Sequence, residues 1–183
     1  MNLPNKLTII RVILVPFFLL FLLVDSIPCN YLLAFVVFAI ASITDALDGH
    51  IARSRNLITD FGKFLDPLAD KVLVMAALVG FIECGFIGAV PVIIILAREF
   101  MVSGLRLVTA KEGVVVAAGI WGKLKTAFTM VAIIAILLMA QFVPGFSHFG
   151  LVCDILIWIS AVLTIISGCV YLKGYAKYID PSK

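Results

Sequence analysis

Apolar stretches long enough to cross a bilayer recur at roughly Leu7–Val24, Tyr31–Ile51, Phe61–Ile82, Ile87–Val108, Trp121–Phe142 and Phe149–Tyr171. Each is about 20 residues, the length an α-helix needs to traverse the hydrocarbon core. The sequence therefore predicts an all-α polytopic membrane protein with six transmembrane helices. Composition agrees: 63% of the 183 residues are hydrophobic and only 14% charged, far more apolar than an ordinary soluble domain. The spans consume most of the chain and leave short connections, with no room for a soluble domain, linker or internal repeat, so residues 1–183 are read as a single membrane domain. No convincing small-residue cleavage site follows Leu7–Val24, and a second span comes almost at once. The first stretch is thus expected to remain as a mature helix rather than act as a signal peptide.

Orientation follows from the basic residues. Lys6 and Arg11 precede or open the first span, and Arg53, Arg55 and Lys63 flank the connection between spans two and three. With six alternating spans, Lys111, Lys123 and Lys125, and then Lys173, Lys177 and Lys183, return to that same side. The opposite connections, around Asp25–Asn30, Glu83–Phe86 and Pro144–His148, contain no Lys or Arg. The positive-inside rule then places both termini in the cytoplasm. The formal net charge of +3 reads as topology and attraction to anionic lipid head groups, and nothing resembles a nucleic-acid-binding module. Cys29, Cys84, Cys153 and Cys169 form no CxxC pair and are read as small apolar residues rather than as a zinc or redox motif.

The second span changes character as it nears the cytoplasm, reading Thr44-Asp45-Ala46-Leu47-Asp48-Gly49-His50-Ile51-Ala52-Arg53. Asp45 and Asp48, at i and i+3, share a helical face, as do Asp66 and Asp70, at i and i+4, in span three. At about 1.5 Å per residue, Asp45 lies roughly 20 Å from the outer start of its span and Asp70 roughly 18 Å from the outer end of its own. Antiparallel packing brings all four to similar depth. An ionised carboxylate at the bilayer centre costs on the order of 2.5–3.5 kcal/mol even on the lenient insertion scale, so four together need a counter-charge. Arg53, Lys63 and Lys71 are the nearby bases, and their spacing does not set one beside each acid. Two divalent cations fit better: hard oxygen ligands suit magnesium, manganese or calcium, and magnesium keeps positions open for phosphate oxygens. Arg53 would add a planar phosphate donor, while Gly49 and Gly62 leave room for substrate near the backbone. The bland alternative is that the acids cap helix ends or pair with bases at a wet interface. Asp60 does read as such a cap, shared with Thr59, and is left out of the site.

The run Asp45-x-x-Asp48-Gly49-x-x-Ala52-Arg53, then eight residues, then Gly62-x-x-x-Asp66-x-x-x-Asp70, resembles the signature of the CDP-alcohol phosphatidyltransferase family at every position. The resemblance extends over essentially the whole chain. It implies that the four aspartates bind two metal ions, magnesium or manganese, and that the CDP diphosphate bridges them. It further implies that Asp70 deprotonates the acceptor hydroxyl, and that Gly49, Ala52, Arg53, Thr59 and Gly62 contact the CDP group of CDP-diacylglycerol. Thr59 serves equally well as a helix cap. The opening Pro4-Asn5-Lys6-Leu7-Thr8 is similar to the family's start, although Pro4 and Asn5 also suit an ordinary helix beginning. The resemblance implies a homodimer in a bacterial cytoplasmic membrane, its active site facing the cytoplasm and open laterally to membrane lipid.

Two further stretches, Ala97-Arg98-Glu99-Phe100-Met101-Val102-Ser103-Gly104-Leu105-Arg106 and Gly122-Lys123-Leu124-Lys125-Thr126, resemble the family members that use glycerol-3-phosphate as acceptor. A dianionic phosphate needs a cationic pocket, which Arg98, Arg106, Lys123 and Lys125 can supply. Arg98 leads this group because it lies roughly 15 Å inside the end of span four, too deep for an easy snorkel. Its alternative role is an internal pair with Glu99 or another acid. Arg106, Lys123 and Lys125 lie nearer the interface, where snorkelling is the ordinary explanation. Ser160, Ala161, Thr164, Ser167 and Gly168 in span six would permit close helix packing, within or between subunits. Competing readings are the same chemistry on another acceptor (phosphatidylglycerol, inositol phosphate or serine) and a cation transporter, whose acids should line a path across the bilayer rather than one band.

Overall fold

The computed structural model describes residues 3–54, 60–111 and 119–175, and side chains within the helices at 8–44, 69, 71–106, 109 and 119–175. Regular structure among the described residues is entirely helical: α1 (Leu3–Leu23), α2 (Asn30–Ser54), α3 (Asp60–Glu83), α4 (Ala89–Lys111), α5 (Ile120–Phe142) and α6 (Phe149–Tyr175). Each helix coincides with one expected apolar stretch to within four residues at either end. Two of them, α5 and α6, are long and apolar enough throughout to cross a membrane, and Thr8–Leu23 and Asn30–Thr44 are shorter apolar stretches. Charged residues within α2, α3 and α4 interrupt the apolar runs of those helices.

The chain forms two compact units, Met1–Gly85 with Ile133–Phe149, and Phe86–Ala132 with Gly150–Lys183. In the first, α1 packs on α2 and α3. Thr8, Arg11, Val15, Phe18 and Leu22 are spaced three and four residues apart and are all buried, so they form one continuous stripe along α1. Phe18 meets Phe38 of α2 with ring centroids 5.8 Å apart, and Leu22 packs directly over Gly80 of α3, where a methyl group would overlap its Cδ2. Arg11, read from the sequence as a base that marks the cytoplasmic side, is 1% exposed and so belongs to the packed stripe. At the far end of this unit α3 stops where Gly85 takes φ 71°, a left-handed conformation that favours glycine. The start of α2 is tied down by Gln141, whose Oε1 accepts from the Leu32 N–H at 3.1 Å, satisfying a donor that the helix itself cannot.

In the second unit α6 is built inside out by the standards of a water-soluble helix. Its buried residues include Ser160, Ala161, Thr164, Ser167 and Gly168, whereas Leu151, Ile155, Trp158, Val162 and Val170 are exposed. Small and hydroxylated residues inside, with bulky aliphatics outside, is the arrangement that lipid selects. Close approach is real at Gly168: a Cβ there would sit 3.2 Å from Arg98 Cγ. The small-residue stripe is therefore used within the subunit. The buried hydroxyls of Thr164 and Thr129 return to their own helices, donating to the Ser160 carbonyl at 2.7 Å and to that of Lys125 at 2.8 Å, so neither is left bare in an apolar setting. Asp154 of α6 accepts from the Gly88 N–H at 3.2 Å, placing a carboxylate at the positive end of α4.

Candidate active site

Three of the four bases singled out for an acceptor pocket converge in the second unit. Arg98 and Arg106, eight residues apart, lie on one side of α4, and Lys125 comes from the second turn of α5. Arg98 and Lys125 are each only 8% exposed. The Arg98 guanidinium donates through Nη1 to Glu99 Oε1 at 2.9 Å and through Nη2 to Ser167 Oγ at 2.6 Å. Lys125 Nζ pairs with the same Glu99 oxygen. The Arg98–Glu99 pairing, which the sequence left open, is thus made, but one carboxylate is shared between two cations. Buried charge is costly unless matched, and Arg98 and Lys125 bring two positive charges to Glu99, which favours an anion beside them. Arg98 Nε points the same way: it is buried and has no hydrogen-bond partner among the described residues.

Tyr171 of α6 completes the cluster. Its ring lies beneath two guanidinium groups, 5.3 Å from Arg98 Cζ and 5.7 Å from Arg106 Cζ, within cation–π range. Its hydroxyl accepts from Arg106 Nη2 at 3.2 Å and from the Gly119 N–H at 3.0 Å. Lys123, two residues before Lys125 and therefore on another face of α5, is exposed. Sequence reasoning did not single out Tyr171 at all, and it treated Ser167 as a packing residue. Their four-residue spacing, which puts a hydroxyl and a phenol on one face of α6, was the available signal.

Asp45 and Asp48 fall within α2, and Asp66 and Asp70 within α3, two helices that pack with α1 in the first unit. The side chains of these four, and those of Gly49, Ala52, Arg53 and Gly62, lie outside the described residues, as Thr59 does entirely. Ala69, beside Asp70, is 1% exposed, so α3 is packed where that residue stands. An all-carboxylate donor set on two helices of one unit has the chemistry that hard divalent cations require. Among the described residues no other group of three or more metal-ligating side chains occurs.

Residues 1–166 match the family model described as CDP-alcohol phosphatidyltransferase. The chain belongs to that family. Similar CDP-alcohol phosphatidyltransferases include a protein of Bacillus subtilis, 44% identical over 94% of both chains, and one of Rickettsia bellii, 42% identical over 97% of both. A protein of Haemophilus influenzae is 40% identical over 94% of this chain and 92% of its own length. All three carry the name CDP-diacylglycerol--glycerol-3-phosphate 3-phosphatidyltransferase.

Proposed function

We propose that this CDP-alcohol phosphatidyltransferase moves the phosphatidyl group of CDP-diacylglycerol to glycerol-3-phosphate, releasing CMP and forming phosphatidylglycerophosphate. The observation that carries the choice of acceptor is the meeting of Arg98 and Lys125 at the Glu99 carboxylate, with the buried Arg98 Nε lacking a hydrogen-bond partner among the described residues. A phosphate dianion suits this cationic cluster, which favours a phosphate-bearing acceptor, glycerol-3-phosphate or inositol phosphate, over serine. The names of the similar proteins support the same reading.

The four aspartates belong to the first unit. With α1 antiparallel to α2 and parallel to α3, the Phe18–Phe38 and Leu22–Gly80 contacts extrapolate along the helices at about 1.5 Å per residue. Positions 45 of α2 and 66 to 70 of α3 then come level with Thr8 and Arg11, supporting one acidic band. Bound there, two magnesium or manganese ions would neutralise the diphosphate and the developing charge on the departing CMP. Asp70 takes the proton of the attacking acceptor hydroxyl as its oxygen bonds to the diacylglycerol-bearing phosphorus and the bond to the CMP phosphate breaks. Arg53 holds diphosphate oxygens with a planar donor pair, while Gly49, Ala52, Thr59 and Gly62 admit the nucleotide close to the helix backbone. Arg98, Lys125 and Arg106 hold the acceptor's phosphate.

We read all six helices as transmembrane within one domain, with both termini and the site at the cytoplasmic face of a bacterial cytoplasmic membrane. The inside-out α6 and the bacterial relatives support that setting. The reading includes a homodimer; because Ser160, Ala161, Thr164, Ser167 and Gly168 are buried within one chain, its interface would use another surface. The test is CMP release by purified protein offered glycerol-3-phosphate, inositol phosphate, serine or phosphatidylglycerol in parallel. Glycerol-3-phosphate is expected to be the productive acceptor, and CMP release with one of the others but not with it would overturn the assignment.

A further inference from the structure

Tyr171 contacts two bases of the cationic cluster, Arg98 and Arg106, through its ring, and Arg106 again through its hydroxyl. Arg98 and Arg106 carry like charges and lie over the same ring, so they are held near one another against their repulsion. The electron-rich face of an aromatic ring is suited to that task, and more so away from water: Tyr171 is 5% exposed. Its hydroxyl then fixes the outer member of the pair. Arg106 is exposed, and besides lying over the ring it donates to the Tyr171 oxygen, which also accepts from the Gly119 N–H just before α5 begins. One phenol thereby connects α4, the start of α5 that carries Lys125, and α6. Tyr175 stacks at 6.3 Å and 24°, backing the ring from one turn further along α6.

We propose that Tyr171 is a positioning residue for the acceptor site, holding Arg98 and Arg106 at the spacing that receives the acceptor's phosphate. The proposal rests on the reading of this cluster as the acceptor pocket. It makes Tyr171 matter for the affinity of the anionic acceptor and leave CDP-diacylglycerol, which is handled by the first unit, untouched. The two parts of the side chain contribute separately. Phenylalanine keeps the ring and its hold on both guanidinium groups but releases Arg106 and Gly119, whereas leucine removes both.

Steady-state kinetics of CMP release distinguish this role from a structural one, with both substrates varied and the detergent-solubilised variants checked for unchanged thermal unfolding. Tyr171→Phe is expected to raise KM for glycerol-3-phosphate about fivefold, the effect of losing one ordinary hydrogen bond. Its kcat and its KM for CDP-diacylglycerol should stay within about twofold. Tyr171→Leu should raise the acceptor KM further, and in an Arg106→Ala background the Tyr171→Phe effect should largely vanish, because its partner is gone. An unchanged acceptor KM in Tyr171→Phe, or a KM that rises equally for both substrates, overturns the proposal while an active parent leaves the acceptor assignment standing. A parent that makes no CMP with glycerol-3-phosphate defeats the assignment itself, before any variant is read.

Discussion

Arg98 of α4 and Ser167 of α6 stand 2.6 Å apart, guanidinium Nη2 to hydroxyl Oγ, and next to Ser167 the absence of a side chain at Gly168 lets the arginine stem pass. A charge is thus taken deep into an apolar helix pair because a donor finds an acceptor and its methylenes find a gap. The two conditions are met by adjacent residues of α6.

Arg98→Lys keeps the charge but lacks the planar fork needed to reach Glu99 and Ser167 together. We expect KM for glycerol-3-phosphate to rise about tenfold with little change for CDP-diacylglycerol, since a charge-assisted hydrogen bond is lost. Kinetics with each substrate varied in turn check this. Equal losses for both substrates would mean that Arg98 serves folding alone.

Glu99→Gln removes the carboxylate shared by two buried bases, Arg98 and Lys125. Breaking a buried pair in this way costs about 3 kcal/mol or more. Thermal unfolding in detergent should fall by several degrees, with part of the loss restored by added phosphate. A variant as stable as the parent would contradict the pairing.

Gly80→Ala tests the packing of the first unit. Alanine ordinarily favours a helix, but here its methyl group overlaps Leu22 Cδ2, and Leu22 is fully buried. We expect destabilisation of about 1–3 kcal/mol by overpacking, eased when Leu22→Val is added. A gain in stability would show that α1 and α3 are not in close contact.

Cys29 and Cys84 report on topology, both lying at the end of the bundle expected to face away from the cytoplasm. Cys29 is exposed and should react with a membrane-impermeant maleimide in intact cells. Cys84 is half-buried, and desolvation, with Asp25 and Glu83 nearby, pushes its thiol above the usual range. Because the thiolate is the reactive form, Cys84 should label more slowly than an ordinary exposed thiol and need more alkaline medium. Labelling of Cys29 only after the membrane is permeabilised would invert the topology.

The helices were legible in the sequence because apolar length is a local property, and the α1 to α6 boundaries depart from the expected ones by four residues at most. The acidic residues stood out for the same reason, since an aspartate inside an apolar span conflicts with its surroundings wherever the helices pack. The partners of Arg98 were less legible. Ser167 and Tyr171 lie 69 and 73 positions further along, and only packing of α4 against α6 brings them to it. The burial of Arg11 was also less legible: the sequence marks it as a base at the start of a span, and its burial follows from the stripe of Val15, Phe18 and Leu22 with which it is in phase.

The most direct test of the central claim is CMP release by purified protein in detergent, supplied with CDP-diacylglycerol, glycerol-3-phosphate and magnesium, for the parent and for Asp70→Asn. The account predicts CMP formation that requires glycerol-3-phosphate, stops on chelation of divalent ions and falls by at least about a hundredfold in a variant that folds as the parent does. A folded Asp70→Asn protein with parental turnover, or a parent whose activity survives chelation, would contradict it.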